Sequence, residues 1–218
     1  VPGSSASKQL LIDNMKTLHA QGVRRLYIEY LPGDVFRVKL NKFNAGGSYK
    51  HIEAHLKTVE NALGMPKDSA YSYRALMLAA RREKITVCAL DASTGYELDR
   101  AFNLRNGAAI SPRPNAQRNF YSHTLIDADI AAKPTEGWVA LADSRRISTH
   151  QNTPGLADLQ GTVSLRVEDV APGQPVGISK DLPGSIADDP QAKGDFKLTL
   201  ETAYSAPQAS AATPAPHA

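Results

Sequence analysis

One cysteine, Cys88, in 218 residues excludes a disulfide framework within the chain and a thiolate zinc site. Cys88 lies inside an apolar run, where a small buried thiol is the ordinary expectation. No apolar stretch approaches the roughly 20 residues of a membrane-spanning helix, and residues 1–8 lack the apolar segment of a signal peptide. Export would then use information outside this chain. Blocks of like charge are missing too: 25 Lys and Arg stand against 22 Asp and Glu, a net charge of +3 spread through the sequence. That distribution argues against nucleic acid or an anionic membrane as the main partner. There is no G-x-S-x-G elbow, no G-x-x-x-x-G-K loop and no G-x-G-x-x-G turn. Acyl-serine hydrolysis, nucleotide phosphate binding and dinucleotide redox chemistry are therefore disfavoured.

What is present is an alternation of helix and strand signals long enough for one substantial core. Leu11, Met15 and Leu18 recur at helical spacing over residues 7–20, with Ser5 or Ser7 as cap and Gly22 as stop. Residues 24–29 are short and rich in β-formers. Residues 34–63 read as two helices broken at Ala45-Gly46-Gly47 and stopped by Gly64-Met65-Pro66. A helix over 71–82 feeds a strand over 85–91, and a helix over 115–132 feeds a strand over 138–143. Residues 162–170 form a fourth strand, Pro172, Pro175 and Pro183 mark irregular chain, and 196–202 alternate like a late edge strand. An Ala, Ser and Pro-rich end predicts a disordered tail over 204–218, after a domain over 1–203. The pattern predicts a single three-layer α/β domain with a mainly parallel sheet of about five strands and right-handed crossovers.

Three of these strands end on an acid: Glu29, Asp91 and Asp143. Parallel strands present their C-terminal ends along one edge, where open α/β sheets bind ligands, so the three carboxylates are expected near one another. A single acid after a strand also caps the next loop or helix. Three at one edge point to a site, with Glu29 and Asp91 as bases or metal ligands. Arg118 and Asn119 open the helix over 115–132 at that edge, where Arg118 can pair with Asp91 or hold an anionic substrate. An ordinary surface salt bridge is the alternative. His150, in the loop beyond Asp143, is a candidate catalytic base or an ordinary loop histidine. Asp143 and Arg146 complete the substrate-binding candidates with Arg118 and Asn119. In His51-Ile52-Glu53-Ala54-His55 the histidines share a helix face, but Glu53 points elsewhere, so a solvated face is expected there and not a metal site. His123, beside Tyr121, reads as a surface or partly packed helix residue.

Several ordered segments resemble the superfamily that joins Tiki proteases, TraB, erythromycin esterase, ChaN and a domain of Pasteurella multocida toxin. The version inside large dermonecrotic-type toxins of pseudomonads is the most similar. The segments are Ser7-Lys8-Gln9-Leu10-Leu11-Ile12-Asp13-Asn14-Met15, Leu26-Tyr27-Ile28-Glu29, Ala89-Leu90-Asp91, Arg118-Asn119-Phe120-Tyr121-Ser122-His123, Trp138-Val139-Ala140-Leu141, and Pro154-Gly155-Leu156-Ala157 leading to Leu165-Arg166-Val167-Glu168-Asp169-Val170. The resemblance implies an α/β fold with a Glu- and His-lined pocket, hydrolytic in several members, dependent on a divalent metal in Tiki-like ones and haem-binding in ChaN-like ones. Glu29 looks like the family's second acidic residue, Asp91 like the acid after the next strand, and Arg118 like its helix arginine. The implied setting is a bacterial toxin effector, secreted or delivered into a host cell within a larger protein and otherwise cytoplasmic, acting on a host or small-molecule target.

Two departures stand against activity. The family's G-E-x-H motif ends a strand just before the first helix, whereas Val1-Pro2-Gly3-Ser4-Ser5 holds neither Glu nor His. After the Trp138 strand the relatives place a G-N-T-H-like turn, and this chain reads Asp143-Ser144-Arg145-Arg146, with His150 four residues late. The chain as given is therefore expected to be catalytically silent or nearly so, with an Arg paired to Glu29 or Asp91 and no metal. A binding or scaffold module of the same fold is the alternative function. Haem, with Tyr27, Tyr30 and His123 as conceivable ligands, ranks last.

Overall fold

Consecutive apolar side chains of three strands turn alternately to the two faces of a parallel sheet, so both faces are covered and the sheet builds the centre of the molecule. The computed structural model describes residues 5–65, 69–94, 112–149, 152–181 and 194–202. His150 and the tail over 204–218 lie outside the described residues. The strands β1 (Val23–Pro32), β2 (Thr86–Asp91) and β3 (Gly137–Leu141) pair in parallel in the order β2-β1-β3, with Leu26 opposite Val87 on one side and Val139 on the other. Leu26, Ile28, Val87 and Ala89 turn to one face and meet Leu11 and Met15 of helix α1 (Ala6–Ala20), Phe36 and Leu40 of α2 (Gly33–Asn44), Leu56 of α3 (Lys50–Ala62) and Leu76 of α4 (Tyr73–Arg82). Tyr27, Leu90 and Trp138 turn to the other, against Ile126 of α5 (Pro112–Ala132). Each fully buried Leu, Ile or Phe contributes about 1.5–3 kcal/mol of transfer free energy.

The chain passes from β1 to β2 over the first face and returns from β2 to β3 over the second. Right-handed crossovers require this change of face when the direction across the sheet reverses. It leaves the strand ends, followed by the short helices α6 (Ser144–Ile147) and α7 (Leu156–Gln160), facing the first turns of α5. The helical expectations for residues 7–20, 34–63 and 71–82 match α1 to α4, including the break at Ala45-Gly46-Gly47.

The sheet of about five strands is corrected. Among the described residues the parallel sheet holds three strands, and a second three-stranded sheet has the order β4-β6-β5. There β4 (Leu165–Val170) is parallel to β6 (Phe196–Glu201), and β5 (Gly177–Lys180) is antiparallel to it. The expected edge strand over 196–202 is thus the middle strand of its sheet. Asp143 is not a strand residue, because β3 stops at Leu141 and the Asp143 side chain caps α6 by accepting from the Arg145 amide. The second sheet is tied to α1: Asp169 of β4 accepts from the amides of Ser5 and Ala6 at 3.1 and 2.9 Å and from the Thr202 hydroxyl at 3.1 Å. It satisfies donors that an α-helix leaves unpaired at its N-terminus.

Candidate functional site

At the ends of β1 and β2, two carboxylates and two guanidinium groups are packed out of water. Glu29 and Asp91 are 2% and 0% exposed, and Arg118 and Arg146 are 9% and 1%. Arg118 Nη2 lies 2.7 Å from Glu29 Oε1 and 2.6 Å from Asp91 Oδ2. Arg146 Nη1 reaches the same two oxygens at 3.0 and 2.9 Å. Each acid is therefore paired with both arginines. The second oxygen of Glu29 accepts from the Asp143 amide, which fixes the turn after β3 to the end of β1.

Arg146 comes from α6, whose first turn is set by the Asp143 cap. Its Nε donates to Asn119 Oδ1 at 3.0 Å and its Nη2 to Ser122 Oγ at 2.9 Å, so all three guanidinium nitrogens are engaged. Asn119 in turn donates to the Pro154 carbonyl at 2.8 Å, and Ser122 to the Leu90 carbonyl at 2.7 Å. Arg118 and Ser122, four apart, share the inner face of α5. Burial alone would lower the Arg146 pKa, but the charges of Glu29 and Asp91 raise it above its ordinary value. Asp143 is half-buried, and there Arg145 outweighs desolvation and holds the carboxyl below its usual range.

All three expected acids thus meet at one edge with Arg118, Asn119 and Arg146. The sequence had not singled out Ser122; its only signal was the spacing of four from Arg118. A cavity of about 200 Å³ opens over Glu29, Tyr30, Asn115, Arg118, Asp143, Arg145 and Arg146. A longer groove of about 580 Å³, lined by α1, β3 and the segment leading into β4, shares Tyr30 and Asp143 with it.

A divalent cation does not fit these side chains. The oxygens that would hold it already face two guanidinium groups, and among the described residues no group of three His, Cys, Asp or Glu could hold a metal ion. Of the conceivable haem ligands, Tyr27 and His123 are already engaged, and Tyr30 lines the small cavity. Tyr27 is fully buried with its hydroxyl given to Asp129 at 2.7 Å, and His123 is engaged by Gln160 and Asp127. Of the two histidines in the His51 to His55 segment, only His51 lies on a solvated face. His55 Nε2 contacts the Tyr30 carbonyl of β1 at 2.7 Å and its ring lies against Phe36. Cys88 is half-buried and its thiol is pushed up to about 12 by desolvation, so it does not supply a ready thiolate.

No family model matches the chain, and no curated protein matches it. Solved structures do share its fold. A structure of the C-terminal region of Pasteurella multocida toxin, described as having a thiol-protease-like catalytic triad, aligns over 74% of this chain at 21% identity with a TM-score of 0.52. RRSP, an effector domain of a MARTX toxin from Vibrio vulnificus, aligns over 77% at 20% identity and 0.53. The type III effector HopBA1 aligns over 92% at 13% identity and 0.51, and 84% of that protein is covered. The chain spans only 21% and 31% of the first two structures. Its fold is therefore one found in bacterial toxin and effector domains, and among the described residues no helix is long and apolar enough to cross a membrane.

Proposed function

We propose that this chain is an effector-type domain of a bacterial toxin, of the Tiki, erythromycin esterase and ChaN type, acting inside a host cell as part of a larger protein. In this reading the chain does not hydrolyse substrate. Its edge of carboxylates and arginines is a binding and scaffold element in which Asp143, Arg145 and the rim of Arg118 orient a ligand over the small cavity. One observation carries the reading: Glu29 and Asp91 are both consumed by Arg118 and Arg146, buried and balanced in charge. A general base needs an open lone pair within reach of a substrate proton, and a metal centre needs carboxylates without a competing cation.

The second reading is a hydrolase in which Glu29 and Asp91 act with His150 as base. The opening of the small cavity directly over Glu29 favours it. A panel of ester and peptide substrates, assayed with the chain and with Glu29→Gln, separates the two. The expected outcome is hydrolysis at the no-protein background in both. Turnover by the chain that falls tenfold or more in a folded Glu29→Gln protein would establish the hydrolase. In parallel, Arg118→Met strands two buried carboxylates beside one arginine and is expected to cost about 3–5 kcal/mol of stability in urea. A loss near zero would show that the cluster does not hold the edge together.

A further inference from the structure

β1 stops alternating where it reaches the carboxylate cluster. Leu26 and Ile28 turn to the face covered by α1 to α4, and Tyr30 packs against that face as a period of two requires. Leu31 should then turn away, yet it belongs to the same core. The pairing breaks at the same place. Ile28 stands opposite Ala89 and Pro32 opposite Asp91, so Glu29, Tyr30 and Leu31 together face Leu90. On its other side β1 pairs with β3 as far as Ile28 opposite Leu141. Bulges of this kind re-aim side chains beside functional sites. The residues re-aimed here are Glu29, held by Arg118 and Arg146, and Tyr30, which lines both the small cavity and the longer groove.

A bulge takes backbone groups out of the ladder, and a buried carbonyl then needs a donor from elsewhere. The Tyr30 carbonyl lies in this stretch, and His55 Nε2 of α3 stands 2.7 Å from it. A carbonyl can only accept, so this ring nitrogen carries the hydrogen. The ring has little freedom to leave. Its centroid lies 4.6 Å from that of Phe36, a buried residue whose own ring meets Lys39 Nζ at 4.7 Å. Ile52 and Leu56, which flank His55 along α3, are fully buried in the same core as Leu31. α3 therefore brings one fixed donor to the bulge.

We propose that His55 is a positioning residue for the small cavity: by holding the Tyr30 carbonyl it fixes the bulge of β1, and with it the direction from which Glu29 and Tyr30 enter the site. The second histidine of the His51 to His55 segment acts through the backbone of β1 and not through a metal. Turning the Tyr30 peptide would draw Glu29 away from the Asp143 amide and from both arginines. The use of this device for a ligand rests on the reading of the small cavity given above. Its geometry is tested without ligand, so the two fail separately.

The test compares the parent chain with His55→Gln, which keeps an N–H donor at similar reach, and with His55→Leu, which fills the space without one. The ring nitrogen shifts of His55 in the parent are read above about pH 8, where an ordinary imidazole is neutral. Hydrogen on Nε2 is expected, and hydrogen on Nδ1 overturns the proposal. Two further signals follow the bulge: the carbonyl carbon shift of Tyr30, and exchange of the Asp143 amide, which reports on Glu29. In His55→Leu the carbonyl signal should move upfield and the Asp143 amide exchange about tenfold faster, while His55→Gln stays within about twofold of the parent. Exchange at Leu26 and Val87 should not change in either variant. Parent-like signals in His55→Leu overturn the proposal. Equal speeding in both variants would show that the ring acts by packing on Phe36, and speeding that spreads to Leu26 and Val87 would assign His55 to general stability. Either of these overturns it too. Should His55→Leu fail to fold, the tautomer and His55→Gln decide: a folded His55→Gln with a fast Asp143 amide sinks the proposal.

Discussion

Lys8 is 3% exposed, with its Nζ 5.2 Å from the centroid of the Tyr73 ring. Burial lowers its pKa to about 8, and the charges of Asp169 and Glu60 only partly restore it. The folded state therefore binds this proton less tightly than the unfolded chain, whose lysine keeps its ordinary 10.5. Below pH 8 the ammonium is charged in both states and the fold bears the desolvation cost. That cost is relieved as pH rises from 8 toward 10.5. Urea denaturation at pH 7.5 and 9.5 is expected to show a gain on the order of 1–2 kcal/mol at the higher pH, which Lys8→Met abolishes. An equal gain in both proteins would place the titrating group elsewhere. Single residues were unevenly legible in the sequence. Acids after strands and an arginine opening a helix are local signals, so Glu29, Asp91 and Arg118 could be brought together on paper. That Arg146 would be wholly buried, braced by Asn119 and Ser122, depends on how α6 folds back over α5, which no local pattern encodes.

Elements were most legible where one face is buried. The helical spacing of Leu11 and Met15, and of Leu76 and Ala80, and the alternation of Leu26, Tyr27 and Ile28 each record which side meets the core. β5 was missed because all four of its residues are exposed, so burial imposes no alternation on Gly-Ile-Ser-Lys. The turn between α6 and α7 carries a tight constraint that no sequence pattern marks. A Cβ on Gly155 would be driven into the backbone of Ser148. Backbone cannot give way as a flexible side chain can, and the neighbouring Pro154 carbonyl holds Asn119, which holds Arg146. Gly155→Ala is expected to cost about 1–3 kcal/mol by overpacking, read from urea midpoints. It should also speed exchange of the Arg145 and Arg146 amides. A variant as stable as the parent would show that the α6–α7 turn relaxes freely.

At the scale of the molecule, alternating helix and strand signals said how the parallel sheet is wound but not which strand would pair with which. Any strand of suitable pattern can take any edge, and pairing is settled by long-range contacts. That is why residues 196–202 read as an edge and not as the centre of a second sheet. The second sheet has little of its own to rely on: all four residues of β5 are exposed, and α1 contacts both β4 and β6. Three strands without a covered face are marginal in water. Its cohesion with the rest should then depend on α1 and on Asp169, which joins the start of α1 to β4 and to Thr202. Asp169→Ala removes a carboxylate that caps a helix N-terminus, worth roughly 0.5–2 kcal/mol, and cuts the link to the end of β6 in the same step. Trp138, the one tryptophan, sits in β3 and reports on the first sheet by fluorescence. In the parent chain its urea transition is expected to coincide with the loss of amide protection over 196–201, as in one cooperative unit. In Asp169→Ala the protection over 196–201 should be lost first, at a urea concentration where Trp138 is still native. Coincident transitions in the variant would show that the apolar contacts of α1 suffice to couple the sheets.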